Sequence, residues 1–444
     1  MTRDRSRILR TAGVLLAILA TGLITWVLAR YRAEIGAARA RIATGSEIAQ
    51  TPCGPIEYAV AGSGPPLLVV HGAGGGFDQV MDVAGDLAGR GYRVIAPSRF
   101  GYLRTPLPQD ASAEAQADAH ACLLDALAVP RAAILGVSAG GPSTMQFALR
   151  HPDRVTAMIL MVPAAYVPRT GGEASVRTPH WTQFLFDTAL RSDFLFWKLI
   201  RFMPDTTARS ILATPPEVVA RASPDEQARF ERLREHILPV RPRRPGLVND
   251  AAVVSTLTRY ELERIAAPAL LISAEDDGYG TWDGARYTAE HLPNARFVGF
   301  PSGGHMLVGH TDEVRAEIES FLRANGWSGM HTHHEIDYIE FSVVDVAAAK
   351  RFYAAAFGWT FTDYGPEYAG IHGRDREQGG FRRADSVPKG GPLVVLYSKD
   401  LEATLAAVKA AGGRITEEVF SFPGGRRFHC ADPSGNEIAV WSDH

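Results

Sequence analysis

Short apolar runs alternate with stretches of helical spacing along most of this chain. Residues 66–70, 132–135, 158–162, 269–273 and 296–300 are compact apolar runs, each the length of one buried strand. Residues 143–150 and 312–322 have helical spacing, and in the second Val314, Ile318, Phe321 and Leu322 share one side. Strands alternating with helices predict an α/β unit on a parallel sheet. Beyond residue 333 the pattern changes. Residues 336–343 alternate as a strand, and Asp345 caps a helix ending near Phe357-Gly358-Trp359. Residues 393–397 read as another strand, and Asp400 caps a helix ending at Ala411-Gly412-Gly413. The two caps lie 55 residues apart, with short strands after each helix. A βαβββ unit is thus written twice, which predicts a separate, paired α+β domain. At the other end, residues 11–29 hold nineteen positions without a charge. At about 1.5 Å per residue this reaches roughly 28 Å, close to the hydrocarbon thickness of a bilayer.

Candidate chemistry appears where the strand at 132–135 opens into Gly136-Val137-Ser138-Ala139-Gly140. A strand, a sharp turn and a helix follow one another, with a serine at the turn. Glycines two before and two after let the backbone bend without a Cβ clash. Downstream, the strand at 269–273 opens into Ala274-Glu275-Asp276-Asp277-Gly278, and the strand at 296–300 into Pro301-Ser302-Gly303-Gly304-His305. Upstream, the strand at 66–70 leads into His71-Gly72-Ala73-Gly74-Gly75-Gly76. Such a glycine-rich turn aims backbone N–H groups at a substrate oxygen.

On these pieces, residues 54–326 resemble the α/β-hydrolase-fold serine hydrolases, whose nucleophile, acid and histidine occur in this chain order. The resemblance implies Ser138 as nucleophile, His305 as base and Asp277 as the acid that orients it. Glu275, Asp276 and His310 are neighbouring competitors. The family turn places its acid three residues after a small residue, here Ala274, which selects Asp277. The amides of Ala73, Gly74 and Ala139 would form the oxyanion hole, worth roughly 3–4 kcal/mol per donor in such sites. A serine rather than a carboxylate at the elbow argues against dehalogenase or epoxide-hydrolase chemistry. The segment Ala96-Pro97-Ser98-Arg99-Phe100-Gly101-Tyr102 keeps only part of the Asp-x-x-Gly-x-Gly turn of many members, which bears on subfamily rather than on chemistry. His71 reads as a structural histidine at a strand end. His120, His151, His180, His236 and His291 carry no motif.

The stretch of about a hundred residues before residue 269 is where this fold carries a helical lid, placed at about 164–250. Trp181, Phe184, Phe186, Phe194, Phe196, Trp197 and Phe202 make it aromatic. They serve an apolar substrate group or simply pack the lid. The expected activity is cleavage of a carboxylic ester or related acyl bond, carboxylesterase- or lipase-like. Amide, thioester or carbon–carbon cleavage on the same triad is an alternative, and so is a catalytically silent binding protein.

Arg3, Arg5, Arg7 and Arg10 precede the apolar span, and Arg30, Arg32, Arg39 and Arg41 follow it. Equal counts leave orientation open. The span exceeds the 7–15 apolar residues, about, of a secretory signal, so an uncleaved single-pass anchor at 8–29 is expected. A short cytoplasmic tail would leave the catalytic domain extracytoplasmic. Residues 30–53 then read as a juxtamembrane linker. Three cysteines, Cys53, Cys122 and Cys430, give no disulfide framework and no metal motif. A formal net charge of −3 supplies no basic field for nucleic acid.

Residues 327–332 read as a linker, with Met330 and the nearby His331, His333 and His334 in a solvated stretch. Residues 333–444 resemble the vicinal-oxygen-chelate superfamily, the glyoxalase and bleomycin-resistance fold. Asp345, Arg351-Phe352-Tyr353, Phe357-Gly358-Trp359 and Asp432-Pro433-Ser434-Gly435-Asn436 carry that resemblance. Seven residues before each Asp cap stand Tyr338 and Leu393, and seven after Asp432 stands Ala439, where metal-binding members place ligands. Leucine and alanine cannot ligate through side chains, so no metal is expected. Glu340 and His429 are candidate cleft residues. No cofactor is called for, and the domain is expected to bind a small ligand or serve as an accessory.

Overall fold

In the computed structural model, residues 2–168, 190–325, 336–373, 377–386, 391–422, 424–431 and 437–443 are described. The aromatic residues Trp181, Phe184 and Phe186, with His180, lie outside them. So do Met330, the histidines 331, 333 and 334, and Asp432 to Asn436. The chain divides into two compact units. The first comprises Met1–Ala61, Leu67–Asp86 and Val94–Phe321. The second comprises Leu322–His444 with Gly62–Pro66 and Leu87–Arg93.

The first unit begins with a single long helix, α1 (Thr2–Ala43). The sheet strands are β1 (Glu47–Thr51), β2 (Gly54–Ala61), β3 (Pro66–Val70), β4 (Arg93–Pro97), β5 (Ala132–Val137), β6 (Val155–Met161), β7 (Ala269–Ala274) and β8 (Ala295–Phe300), in the order β1-β2-β4-β3-β5-β6-β7-β8. Strand β3 and strands β5 to β8 run parallel, while β1 and β2 pair antiparallel. The apolar runs are buried on both faces because helices cover both: α2 (Phe77–Ala88), α3 (Ala113–Ala126) and α4 (Gly141–Arg150) lie along the chain before β6. The lid helices follow: α5 (Asp193–Phe202), α6 (Pro204–Ser210), α7 (Pro216–Arg221), α8 (Pro224–Glu235) and α9 (Arg244–Ser255). Helix α10 (Thr281–His291) links β7 to β8, and α11 (Thr311–Asn325) closes the unit.

Two expectations need correction here. Residues 30–53 are not a linker. Helix α1 continues through them to Ala43, and β1 joins the sheet by pairing Glu47 with Tyr58 and Gln50 with Pro55. The alternating pattern of β1 is short and polar, so only its pairing partner makes it a strand. Cys53 and Cys122 are also joined in a disulfide, with Cα atoms 6.1 Å apart and 69 residues between them in sequence. Nothing in the spacing of three cysteines announces such a pair; the packing of α3 behind β1 and β2 brings them together. Cys430 is a free, buried cysteine.

The second unit holds β9 (Ile336–Val343), α12 (Val346–Phe357), β10 (Phe361–Asp363), β11 (Tyr368–His372), β12 (Glu377–Arg383), β13 (Leu393–Tyr397), α13 (Leu401–Ala410), β14 (Arg414–Phe422), β15 (Gly425–Ala431) and β16 (Glu437–Ser442). Its eight strands form one sheet, β10-β11-β12-β9-β13-β16-β15-β14. Each half is headed by the expected cap: Asp345 accepts from Ala348 N at 2.9 Å, and Asp400 from Ala403 N at 2.9 Å. Tyr353 of α12 packs on Phe341 and Phe381 of the sheet, and Phe428, Cys430 and Val440 pack under α13.

Candidate active site

The parallel strands deliver their chemistry at their C-terminal ends, the edge where open α/β sheets bind ligands. Ala73 follows β3, Ser138 follows β5, Asp277 follows β7 and His305 follows β8. Ser138 adopts φ 50°, a left-handed conformation that costs a non-glycine residue energy. Close packing enforces it. A Cβ on Gly136 would stand 2.3 Å from Thr144 Oγ1, and one on Gly140 would stand 2.7 Å from the Val70 carbonyl oxygen. The elbow therefore needs glycine at both places for room.

His305 Nε2 lies 2.8 Å from Ser138 Oγ, and His305 Nδ1 lies 2.8 Å from Asp277 Oδ2. Asp277 is buried, with its acceptors further engaged by the Tyr279 backbone N–H at 2.9 Å and by the Thr281 hydroxyl. These donors hold its carboxylate in one orientation. Asp276, its rival, accepts from Gly303 N at 3.2 Å and Gly304 N at 2.7 Å. It braces the loop that presents His305 and does not touch the imidazole. His310 pairs with Glu313 at the surface. The ring of Tyr279 stands edge-on to His305, centroids 4.8 Å apart. The expected serine, histidine and acid are thus brought together, and the arrangement suits proton transfer from a serine hydroxyl.

The oxyanion loop shows one departure. The Gly74 N–H donates to the Tyr102 hydroxyl at 3.2 Å, so this amide is not aimed at a substrate. Among the described residues, the Ala73 and Ala139 amides have no protein acceptor, and they remain the two candidate donors. The physical reason is a polar network that local sequence did not disclose. Tyr102 donates onward to Asp250 Oδ2 at 2.5 Å, and Arg99 grips the same carboxylate with two bonds of 2.7 Å. Arg99 also donates its backbone N–H to His71 Nε2 at 3.0 Å, while His71 Nδ1 donates to the Gly72 carbonyl at 2.7 Å. Burial, and then the Arg99 charge, push the His71 pKa well below its usual value, so the ring is neutral and structural. On the other side Arg243, fully buried, donates to the Gly75 carbonyl at 2.5 Å and to Asp78 at 2.7 and 3.1 Å. Lid residues Asp250 and Arg243 thereby hold the glycine loop from both flanks. The incomplete Asp-x-x-Gly-x-Gly turn was the available signal, because Arg99 and Tyr102 stand in it.

Above Ser138 lies a cavity of about 220 Å³, walled largely by apolar lid side chains such as Phe196, Leu212, Leu233, Ile237 and Leu247. A wider polar cleft of about 600 Å³, lined by Asp118, Arg150 and Arg264, shares no residue with it.

Comparison with known proteins fits this geometry. A family model described as alpha/beta hydrolase fold matches residues 65–309. The chain belongs to the α/β-hydrolase fold family. The second domain matches the glyoxalase/bleomycin resistance protein/dioxygenase superfamily over residues 335–440. Among this hydrolase's relatives, an uncharacterized hydrolase of Bacillus subtilis is 26% identical over 268 residues, covering 57% of this chain and 89% of that protein. The 2-hydroxy-6-oxo-6-phenylhexa-2,4-dienoate hydrolase of Burkholderia cepacia is 25% identical, covering 60% of this chain and 90% of that one. A solved alpha/beta hydrolase fold protein from Nakamurella multipartita is 27% identical with a TM-score of 0.51, covering 63% of this chain and 99% of its own.

In the second domain, Tyr338, Leu393 and Ala439 fall on the adjacent strands β9, β13 and β16, where Val395 pairs with both Tyr338 and Ala439. This donor set does not fit a divalent ion. Leu393 and Ala439 offer no donor atom, and the Tyr338 hydroxyl is engaged with Tyr368 at 3.0 Å. Burial raises the Tyr338 pKa far above its usual value and keeps the proton on. Glu340 is buried beside Arg382 at 3.0 Å and Arg427 at 3.8 Å. His429 lies two residues from Arg427 on β15, near Glu437 at 3.6 Å.

Proposed function

We propose that this chain is a serine hydrolase that cleaves a carboxylic ester or related acyl bond through an acyl-enzyme. The observation that carries the reading is the continuous relay from Ser138 through His305 to Asp277, with both links at 2.8 Å. Ser138 Oγ attacks the carbonyl carbon as its proton passes to His305 Nε2. Asp277 holds the Nδ1 proton and stabilises the imidazolium. The Ala73 and Ala139 amides receive the developing oxyanion. His305 then protonates the leaving alcohol, and a water activated by the same ring releases the acid. The small apolar cavity favours an ester with one compact apolar group. The second domain is a metal-free accessory that binds a small ligand.

Helix α1 anchors the enzyme. Its segment Val14–Ala43 is long and apolar enough to cross a membrane, and Leu16, Leu19 and Leu23 are 72%, 71% and 62% exposed. The Cys53–Cys122 disulfide supports an oxidising compartment and hence an extracytoplasmic catalytic domain.

The test is labelling by a fluorophosphonate, followed by a substrate panel. Wild-type protein should label and Ser138→Ala should not. Failure of the wild type to label would leave a binding protein instead. One relative is named a 2-hydroxy-6-oxo-6-phenylhexa-2,4-dienoate hydrolase, so that compound belongs in the panel beside aryl esters, amides and thioesters.

A further inference from the structure

The apolar span and the lid share a seam. Val27, Tyr31, Ile35 and Ala38 follow one another along one side of α1, and all four belong to a cluster that includes Phe194, Phe196, Trp197 and Ile200 of α5. Tyr31 stacks edge-on against Phe194 at 4.9 Å and Trp197 at 5.5 Å. Glu34 accepts from Trp197 Nε1 at 2.7 Å and from Arg201 at 2.8 Å, and Arg39 reaches Asp193 at 3.1 Å. These contacts fix α5 against a stated height on α1.

That height is the membrane boundary. Val27 lies inside the uncharged span, and Tyr31 lies two residues beyond its end at Ala29. At about 1.5 Å per residue, the contact with Phe194 and Trp197 falls within roughly 3 Å of the end of the hydrocarbon. The headgroup layer beyond it is about 5–7 Å deep. Helix α5 therefore meets that layer through Phe194 and Trp197 whenever α1 spans the bilayer, while the Arg39 contact with Asp193 lies farther out, ten residues past the span.

The exposed face of α5 suits this position. Leu195, Phe202 and Met203 are 42%, 53% and 48% exposed, although Phe196, Trp197 and Ile200 already bury the inner face. Lys198 stands exposed between them, with Arg191 just before the helix. Aromatic and aliphatic side chains interleaved with cations match an interface of acyl chains and anionic headgroups. Trp26 and Arg30, stacked at 5.4 Å, mark the same level on α1.

We propose that the outer face of α5 is a membrane-docking surface for an anionic phospholipid bilayer. Docking seats the lid in the headgroup layer, and Phe196, which lines the cavity above Ser138, connects the docked helix to the site. The proposal rests on the reading of α1 as an anchor.

The test uses the full chain in vesicles of phosphatidylcholine and phosphatidylglycerol. In a Cys430→Ser background, Phe202→Cys and, separately, Leu16→Cys are labelled with an environment-sensitive fluorophore. Spin-labelled lipids carry the quencher at the headgroup or at the chain end. The Leu16 site should be quenched more by chain-end label, and the Phe202 site more by headgroup label. Adding Leu195→Glu and Met203→Glu should remove the Phe202 quenching and leave that of Leu16. A quenched Leu16 site beside an unquenched Phe202 site overturns the docking surface while the anchor stands. An unquenched Leu16 site overturns the anchor and the proposal together. A Phe202 site equally shielded in detergent, with doubled particle mass, assigns the face to a second copy and also overturns the proposal.

Discussion

Asp277 and Asp276 are adjacent carboxylates with different partners, and exchanging each for asparagine should separate them. Asp277 receives three donors: His305 Nδ1–H at 2.8 Å, the Thr281 hydroxyl, and the Tyr279 N–H at 2.9 Å. A carboxylate accepts all three, whereas an amide offers one accepting oxygen and one donating nitrogen. If the amide nitrogen faces His305, the ring must carry its proton on Nε2 and cannot take one from Ser138. If the oxygen faces His305, the nitrogen opposes the Tyr279 N–H in a buried site. Either orientation fails, and a triad deprived of its acid in this way loses about 10⁴ in kcat. At 1.36 kcal/mol per tenfold this is about 5 kcal/mol in the barrier. Asp276→Asn keeps one acceptor for Gly303 N and Gly304 N and forfeits the other. Its cost is about 1.5–3 kcal/mol of stability, the worth of a hydrogen bond to a charged group, with kcat within about tenfold of wild type. Steady-state hydrolysis of an activated aryl ester, with melting curves on both variants, reads the two effects. Near-normal turnover in Asp277→Asn, with the large loss in Asp276→Asn, would refute the assignment.

Three further outcomes are expected. Tyr102→Phe leaves the buried Gly74 N–H and one lone pair of Asp250 without a partner, costing about 1–3 kcal/mol in urea unfolding and lowering kcat more than it raises KM; an unchanged kcat would separate Tyr102 from the oxyanion loop. Asp78→Ala takes from the Arg243 and Arg41 guanidiniums the carboxylate they share, one of them fully buried, and should cost about 3–5 kcal/mol by the same measurement. On the acid side, burial lowers the His120 pKa from 6.5 to about 3, so between these values the unfolded chain binds a proton that the folded one refuses. Stability should therefore fall as pH drops below 6.5, and His120→Gln should flatten the melting temperature against pH; an unchanged slope in that variant would show that another group is responsible.

Much of this protein was written locally. The five parallel core strands, the elbow at Ser138, the order serine, acid, histidine and the doubled βαβββ each depend on periodicity or on backbone room within a few residues. Asp345 and Asp400 cap helices through bonds to amides three residues on. Tertiary structure decided the rest. The resemblance selects Asp277 over Glu275 and Asp276, but its meeting with His305 depends on the approach of the β8 loop. Arg99 and Asp250 lie 151 residues apart, so their pairing and the capture of the Gly74 amide through Tyr102 depend on how the lid closes over the sheet. The Cys53–Cys122 bridge and the seam between α1 and α5 have the same origin. Hydrogen-bond direction, burial and distance belong to pairs of groups, and a pair separated by half a domain leaves no periodic mark on either partner's neighbours.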